Sequence, residues 1–239
     1  MYRCVFLDWD DTIGDWQNVA KRAHRVMYQS YHLERWFATP EEWIEAHRTH
    51  NTVLWEEYSK SLITKDFLYV DQFLYPLCQQ MGIDTQHADD ALRTMARSMG
   101  DDYVRLTNEF CQLIDGAAEV VQYLAQRYPL TIISNGFSEC QSYKLEHSGL
   151  LPCFKHVVLS EDVGIQKPNP YIFEVALQRN GVSASEAVMI GDSWYSDING
   201  AQQAGIDQIW VRPDTTTPPL ATETATYILS SIREVPTLL

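Results

Sequence analysis

The chain has 239 residues, with 18 lysines and arginines against 32 aspartates and glutamates and a formal net charge of −14. That length suits one large domain, or a core with a smaller inserted one, and folding at this size buries roughly 70% of the unfolded chain's surface. The excess of acid excludes a nucleic-acid polymer as partner, because neutralising a phosphate backbone needs a basic footprint. A hydrophobic fraction of 45% with 12% aromatic residues excludes a disordered chain. Cys4, Cys78, Cys111, Cys140 and Cys153 form no Cys-x-x-Cys pair, so neither a disulfide framework nor a zinc ribbon follows. No stretch approaches the ~18 apolar residues of a membrane span, and the opening apolar run is too short for a signal peptide. A soluble, reduced, cytoplasmic protein is expected.

The first apolar run, Val5-Phe6-Leu7, is too short for a helix and bulky, as a strand buried on both faces should be. No convincing strand follows until Leu130. Residues 16–31 read as a helix. Thr39-Pro40-Glu41-Glu42 supplies a cap, a first-turn proline and an acidic third position for a second helix to about Ser59. Residues 65–81 and 86–106 are also helical in pattern. A strand-to-strand crossover usually needs one helix, so residues 15–110 are expected to form an inserted helical subdomain. Ala117, Val120, Val121 and Leu124 recur at helical spacing before the strand Leu130-Thr131-Ile132-Ile133, and Val157-Val158-Leu159 is a weaker strand. Asn169-Pro170 opens a helix that Gly181 closes, and Ser183-x-x-Glu186 has the form of a capping box. Then come the strand Ala187-Val188-Met189-Ile190, a helical stretch stopped by Gly205 and the strand Ile209-Trp210-Val211. Residues 215–219 mark a loop, with a weak strand near Tyr227. Strands alternating with helices predict an α/β fold with a doubly wound, Rossmann-like parallel sheet.

Polar residues interrupt the strands at their carboxyl ends. Asp8 follows Leu7, Ser134 follows Ile133 and Asp192 follows Ile190-Gly191, while Lys167 lies in the loop between Gly164 and Pro170. Ligands of open parallel sheets bind outside those strand ends, so two carboxylates, a hydroxyl and an ammonium are expected on one rim. Asp8 and Asp10 add two anions at one strand end, which at ~4 Å and an effective dielectric of ~20 repel by about 4 kcal/mol. A divalent cation reverses that sign, and Asp192 provides a further oxygen. Mg²⁺ accepts a few protein oxygens and leaves room for one from a phosphate. The Ser134 hydroxyl, the Asn135 backbone N–H and the Lys167 ammonium would hold the other phosphate oxygens. Asp8 can then attack phosphorus to form an aspartyl phosphate. Asp10 would protonate the leaving alkoxide and later deprotonate the hydrolytic water.

In order along the chain, Asp8-x-Asp10-x-Thr12, Ser134-Asn135-Gly136, Lys167-Pro168 and Gly191-Asp192-Ser193-x-x-x-Asp197 resemble the four motifs of the haloacid-dehalogenase-like hydrolase superfamily. The resemblance covers essentially the whole core. It implies Asp8 as nucleophile, Asp10 as general acid and base, and Mg²⁺ held by Asp8, the Asp10 main-chain carbonyl and Asp192. Ser134, Asn135 and Lys167 would bind phosphate. Thr12 and Asp197 fall to supporting positions, Asp197 orienting Lys167 or a metal-bound water. The insertion is similar to that of the helical-cap subgroup, with 1–14 and 111–239 as catalytic core and 15–110 as cap. Haloacid dehalogenases proper lack the second aspartate and need no metal, so Asp10 and Asp192 argue against that activity.

Three further runs are similar to the pyrimidine 5′-nucleotidase branch: Ser134-Asn135-Gly136-Phe137, Gln141-x-x-Lys144-Leu145-x-x-Ser148-Gly149-Leu150 and Ser160-Glu161-Asp162-Val163-Gly164. They imply a nucleoside monophosphate as substrate. A phosphatase of another small metabolite, a phosphoryl transferase or mutase, and a silent nucleotide- or protein-binding member are the rivals. Among the remaining residues, Asp11 reads as a local hydrogen-bonding group and Cys4 as buried and inert. Trp9 should leave the strand end opposite Asp8 and Asp10, towards the core. Trp16, Trp36, Trp43, Trp55, Tyr58 and Tyr69 enrich the insertion in rings, which could stack on a base but are also ordinary helix packing. His47 and His50, at i and i+3, are expected on a solvated helical face.

Overall fold

The structure, a computed structural model, describes residues 1–213 and 224–239, so the loop expected over 215–219 lies outside the described residues. In chain order the elements are β1 (Cys4–Leu7), α1 (Trp16–Ser30), α2 (Pro40–Ser59), α3 (Lys65–Met81), α4 (Asp90–Glu109), α5 (Ala117–Ala125), β2 (Leu130–Ser134), α6 (Ser138–His147), β3 (Phe154–Leu159), α7 (Ser160–Val163), α8 (Pro170–Asn180), β4 (Ala187–Gly191), α9 (Asn199–Gln203), β5 (Asp207–Val211) and β6 (Tyr227–Leu229). The strands form one sheet in the order β3-β2-β1-β4-β5-β6, with every neighbouring pair parallel. From β1 the chain builds β2 and β3 on one side, then crosses back to lay β4, β5 and β6 on the other. In a sheet of this order the crevice opens at the carboxyl ends of β1 and β4.

Alternation along each strand divides the side chains between two layers. Val5, Leu7, Leu130, Ile132, Val188 and Ile190 pack with Val120, Val121 and Leu124 of α5. Cys4, Phe6, Ile133, Ala187 and Met189 pack on the other face with Ile172, Phe173 and Ala176 of α8. Both faces of the central strands are therefore buried, which is why their sequences are continuous apolar runs. The expected caps form: Asn169 Oδ1 accepts from the Tyr171 N–H, and Gly181 closes α8 at φ 65°. The Ser183–Glu186 box caps only a short 3-10 turn ahead of β4.

Met1–Trp16 with Cys111–Leu239 makes one compact unit, and Gln17–Phe110 makes a second. Trp16 thus belongs with the sheet, not with the helices of the insertion. Within the second unit Thr39 caps α2 by accepting from the Glu42 N–H at 3.2 Å, and the Glu42 carboxylate reaches back to the Ala38 N–H at 2.8 Å. The fourth helix begins at Asp90, not at 86, because two aspartate caps divide a stretch that periodicity alone runs together. Asp84 caps the 3-10 turn Thr85–His87, and Asp89 then accepts from the Leu92 N–H to start α4.

The solvated face expected for His47 and His50 is not found. His47 lies four residues after Trp43 and shares its inward face. Its ring is buried 4.1 Å from that of His24 and 5.0 Å from that of Phe73, with Nε2 at 3.3 Å from Gln72 Oε1. Burial outweighs the Gln72 contact and pushes the His47 pKa down to about 3. Burial, then the neighbouring His47, takes His24 well below the ordinary range too. His50 stands at the margin, 2.8 Å from Asp71 and stacked on Tyr75. No helix among the described residues is long and apolar enough to cross a membrane.

Candidate functional site

Leaving β1, the chain turns tightly. The Asp8 N–H donates to Ile190 O at 2.9 Å, tying the strand end to β4, and the Ile13 and Gly14 N–H groups both donate to Trp9 O. Asp11 sits in the turn at φ 60°, a conformation that aspartate tolerates better than most residues. Trp9 joins Val5 and Leu7 in the core, so alternation sends Asp8 and Asp10 the other way. At the end of β2 the Ser134 Oγ accepts from the Gly136 N–H at 3.1 Å. The Asn135 side chain pins the Lys167 loop, donating to Lys167 O at 2.9 Å and accepting from the Lys167 N–H at 2.8 Å. Beyond β4, Asp192 Oδ1 accepts from the Thr12 hydroxyl at 3.0 Å and its carbonyl from the Trp210 indole at 2.7 Å. A π-helical turn, Trp194–Ile198, carries Asp197. A side chain at Gly191 would collide with that carboxylate, which explains the glycine ahead of Asp192.

Lys167 is the hub of these groups. Its Nζ lies 2.5 Å from Asp8 Oδ1, 2.7 Å from Asp197 Oδ1 and 2.7 Å from Ile133 O, and all three protons of the ammonium are used. Burial alone would strip its charge; Asp197 and Asp8 outweigh that and hold the ammonium charged beyond its ordinary range. Burial pushes Asp8 the other way, up to about 7 against the pull of Lys167, with Asp197 and Asp10 adding to the rise. Asp192 is raised well above the ordinary range by burial, then by Asp197, Asp8 and Asp11. Carboxylate oxygens of Asp8, Asp192 and Asp197 all lie within 4.8 Å of one another. Lys167 is the ammonium bonded among them, so negative charge is in excess, and buried oxygen donors with that excess suit a hard divalent cation. Asp197 is largely spoken for: Oδ1 accepts from Lys167 and Oδ2 from the Ser193 N–H at 3.0 Å. That leaves Asp8 and Asp192 with oxygens to offer.

Asp10 is held apart from this cluster. Its Oδ1 accepts from Lys144 Nζ at 2.6 Å and its Oδ2 from Gln141 Nε2 at 2.7 Å. Lys144 also stands over the Trp16 ring, 4.2 Å from its centroid. Neither α6 residue stands out in the sequence as a site residue. The available signal is a glutamine and a lysine at i and i+3, which puts both on one face of a helix that opens just after Ser134-Asn135-Gly136. Of the expected phosphate ligands, Ser134 lies at the rim, Asn135 braces the lysine loop, and Lys167 serves first as counter-ion to Asp8 and Asp197.

Residues 2–205 match the haloacid dehalogenase-like hydrolase family. The chain belongs to that family. It is 34% identical over 214 residues to the HAD-hydrolase YfnB of Bacillus subtilis, which covers 89% of this chain and 85% of YfnB. The magnesium-bound crystal structure of YfnB superposes with a TM-score of 0.83 at 32% identity, covering all of this chain and 98% of that one. Pyrimidine 5′-nucleotidase YjjG of Escherichia coli is 30% identical over 190 residues, 79% of each chain. Glyceraldehyde 3-phosphate phosphatase of Methanothermobacter thermautotrophicus is 30% identical over 221 residues, 90% of this chain and 88% of the relative. The family's fold, a parallel sheet with helices on both faces, is the one described above.

Proposed function

We propose that this hydrolase cleaves phosphate monoesters through a covalent phosphate on Asp8. The observation that carries this reading is the buried meeting of Asp8 with Lys167 and Asp192 at the ends of β1 and β4, with Asp10 two residues further on. In the first step an Asp8 carboxylate oxygen attacks phosphorus. The bond from phosphorus to the ester oxygen breaks, and Asp10 gives that oxygen its proton. In the second step water attacks the same phosphorus and yields a proton to Asp10, so that the bond to Asp8 breaks and inorganic phosphate leaves. Mg²⁺, held by Asp8, Asp192 and the Asp10 main-chain carbonyl, would supply the positive charge that lets a carboxylate approach a phosphate dianion. Lys167 fixes the Asp8 oxygen and offsets part of its charge, while Ser134 and the Asn135 N–H face the remaining phosphate oxygens.

For substrate we infer a nucleoside monophosphate, on the likeness to YjjG and to the pyrimidine 5′-nucleotidase PynA of Streptococcus pneumoniae. The phosphatase of glyceraldehyde 3-phosphate makes other small phosphate esters the second reading. The helical insertion, rather than the sheet, would choose between them, since the phosphate machinery is common to both. Five free cysteines fit a reducing, cytoplasmic setting. Phosphate release from a panel of nucleoside monophosphates and sugar phosphates, with Mg²⁺ and then with a chelator, tests the proposal. Mg²⁺-dependent release with a preference for pyrimidine nucleotides is expected. A flat profile would remove the nucleotide assignment, and no release from folded protein under either condition would remove the phosphatase.

A further inference from the structure

We propose that Lys144 and Gln141 are positioning residues that hold the Asp10 carboxylate in the orientation from which it hands its proton to the leaving oxygen. The inference rests on the reading of Asp10 as the proton donor. Both side chains are buried on one face of α6, and each grips a different oxygen of Asp10, at 2.6 and 2.7 Å. Two bonds on opposite ends of a carboxylate set its plane as well as its direction. Each oxygen keeps a second lone pair for the proton it must carry. Lys144 is itself steadied by the Trp16 ring beneath its ammonium.

Stability alone gives little reason for this arrangement. Apolar residues of similar volume usually match or exceed a buried ion pair in stability, so a lysine kept beside Leu145 in the packed face of α6 points to what it orients. The contacts also explain Gly136. A side chain there would collide with the Gln141 carboxamide, and the glycine leaves the space through which that amide reaches Asp10. Ser134-Asn135-Gly136 therefore serves two neighbours: Asn135 braces the Lys167 loop and Gly136 makes room for the clamp on Asp10. Misplacing a reacting group by ~1 Å can cost about 10²-fold in rate, so the clamp should be visible in kinetics.

The test compares an alkyl phosphate monoester with p-nitrophenyl phosphate. An alkoxide needs its proton delivered as it leaves; nitrophenolate scarcely does. Lys144→Met and Gln141→Leu should lower kcat/KM for the alkyl ester, which reports the first step and not the later hydrolysis shared by both esters, by about 10²-fold, with a loss on the aryl ester at least about ten times smaller. Lys144→Arg should restore most of the alkyl activity. Gly136→Ala leaves Lys144 untouched and displaces only the amide, and it should skew the two esters in the same sense. Equal losses on both esters, or none on either, would overturn the inference. Asp10→Asn is the control that separates the two claims: a skew there without one in the α6 variants sinks the clamp alone, and no skew in Asp10→Asn sinks the proton-donor reading with it.

Discussion

Asp8 is poised between two opposing influences. Burial drives its carboxyl towards the neutral form, and Lys167 at 2.5 Å pulls it back, with a resulting pKa of about 7. On the proposed mechanism, Asp8→Asn keeps the shape of the side chain but replaces the attacking carboxylate with a poorly nucleophilic amide, so hydrolysis should fall by at least about 10⁴-fold while the circular dichroism spectrum is unchanged. Lys167 differs in kind. Because it bridges Asp8 and Asp197, Lys167→Met strands two buried carboxylates and should cost about 3–5 kcal/mol in urea unfolding at neutral pH. A variant that lost activity at full stability would show the ammonium to act on substrate alone. The carboxylates at strand ends were legible as chemistry because nothing in a buried sheet explains them otherwise. The donors facing Asp10 were legible only as part of the run Gln141-x-x-Lys144, similar to the nucleotidase branch, and their role there appears once α6 is seen to bring both against Asp10.

At the scale of elements, strands and caps follow from local physics. Continuous apolar runs, threonine and asparagine caps and first-turn prolines each satisfy backbone groups within a few residues. α4 departs from its expected start because Asp84 and Asp89 compete as caps. α2 departs from its expected face because α3 and α4 cover it, turning His47 from a surface residue into a core one. That burial carries a pH signature. His47 stays neutral in the folded unit down to about pH 3 but takes a proton in the unfolded chain near its ordinary 6.5. Its contribution to stability is therefore complete above about pH 6.5 and is lost as pH falls towards 3, at about 1.4 kcal/mol per pH unit. His24 adds to the same slope. Hydrogen-exchange protection in α1–α4 should decline through that window, and His47→Phe should flatten the decline. An unchanged slope would mean that other groups carry it.

For the molecule as a whole, the deciding quantity is charge. A chain of net charge −14 brings the carboxylates of Asp8, Asp192 and Asp197 within 4.8 Å of one another, with Lys167 bonded to Asp8 and Asp197, and a bound divalent ion should relieve both the local and the overall repulsion. Mg²⁺ at about a hundred times its dissociation constant should stabilise the fold by about 2.7 kcal/mol. A chelator should reverse that gain together with the hydrolysis. In Asp192→Asn the Mg²⁺-dependent rise in Tm should shrink; an undiminished rise would place the ion elsewhere. The sequence by itself determined the parallel α/β sheet, the helical insertion and the strand-end groups, because hydrophobic period, capping and the spacing of Asp8, Asp10, Lys167 and Asp192 are local properties of the chain. Only the tertiary structure decided the partners: Lys167 with Asp8, Lys144 and Gln141 with Asp10, His47 with His24. Each joins segments far apart in sequence, and a charge or ring carries no local mark of the neighbour that packing brings against it.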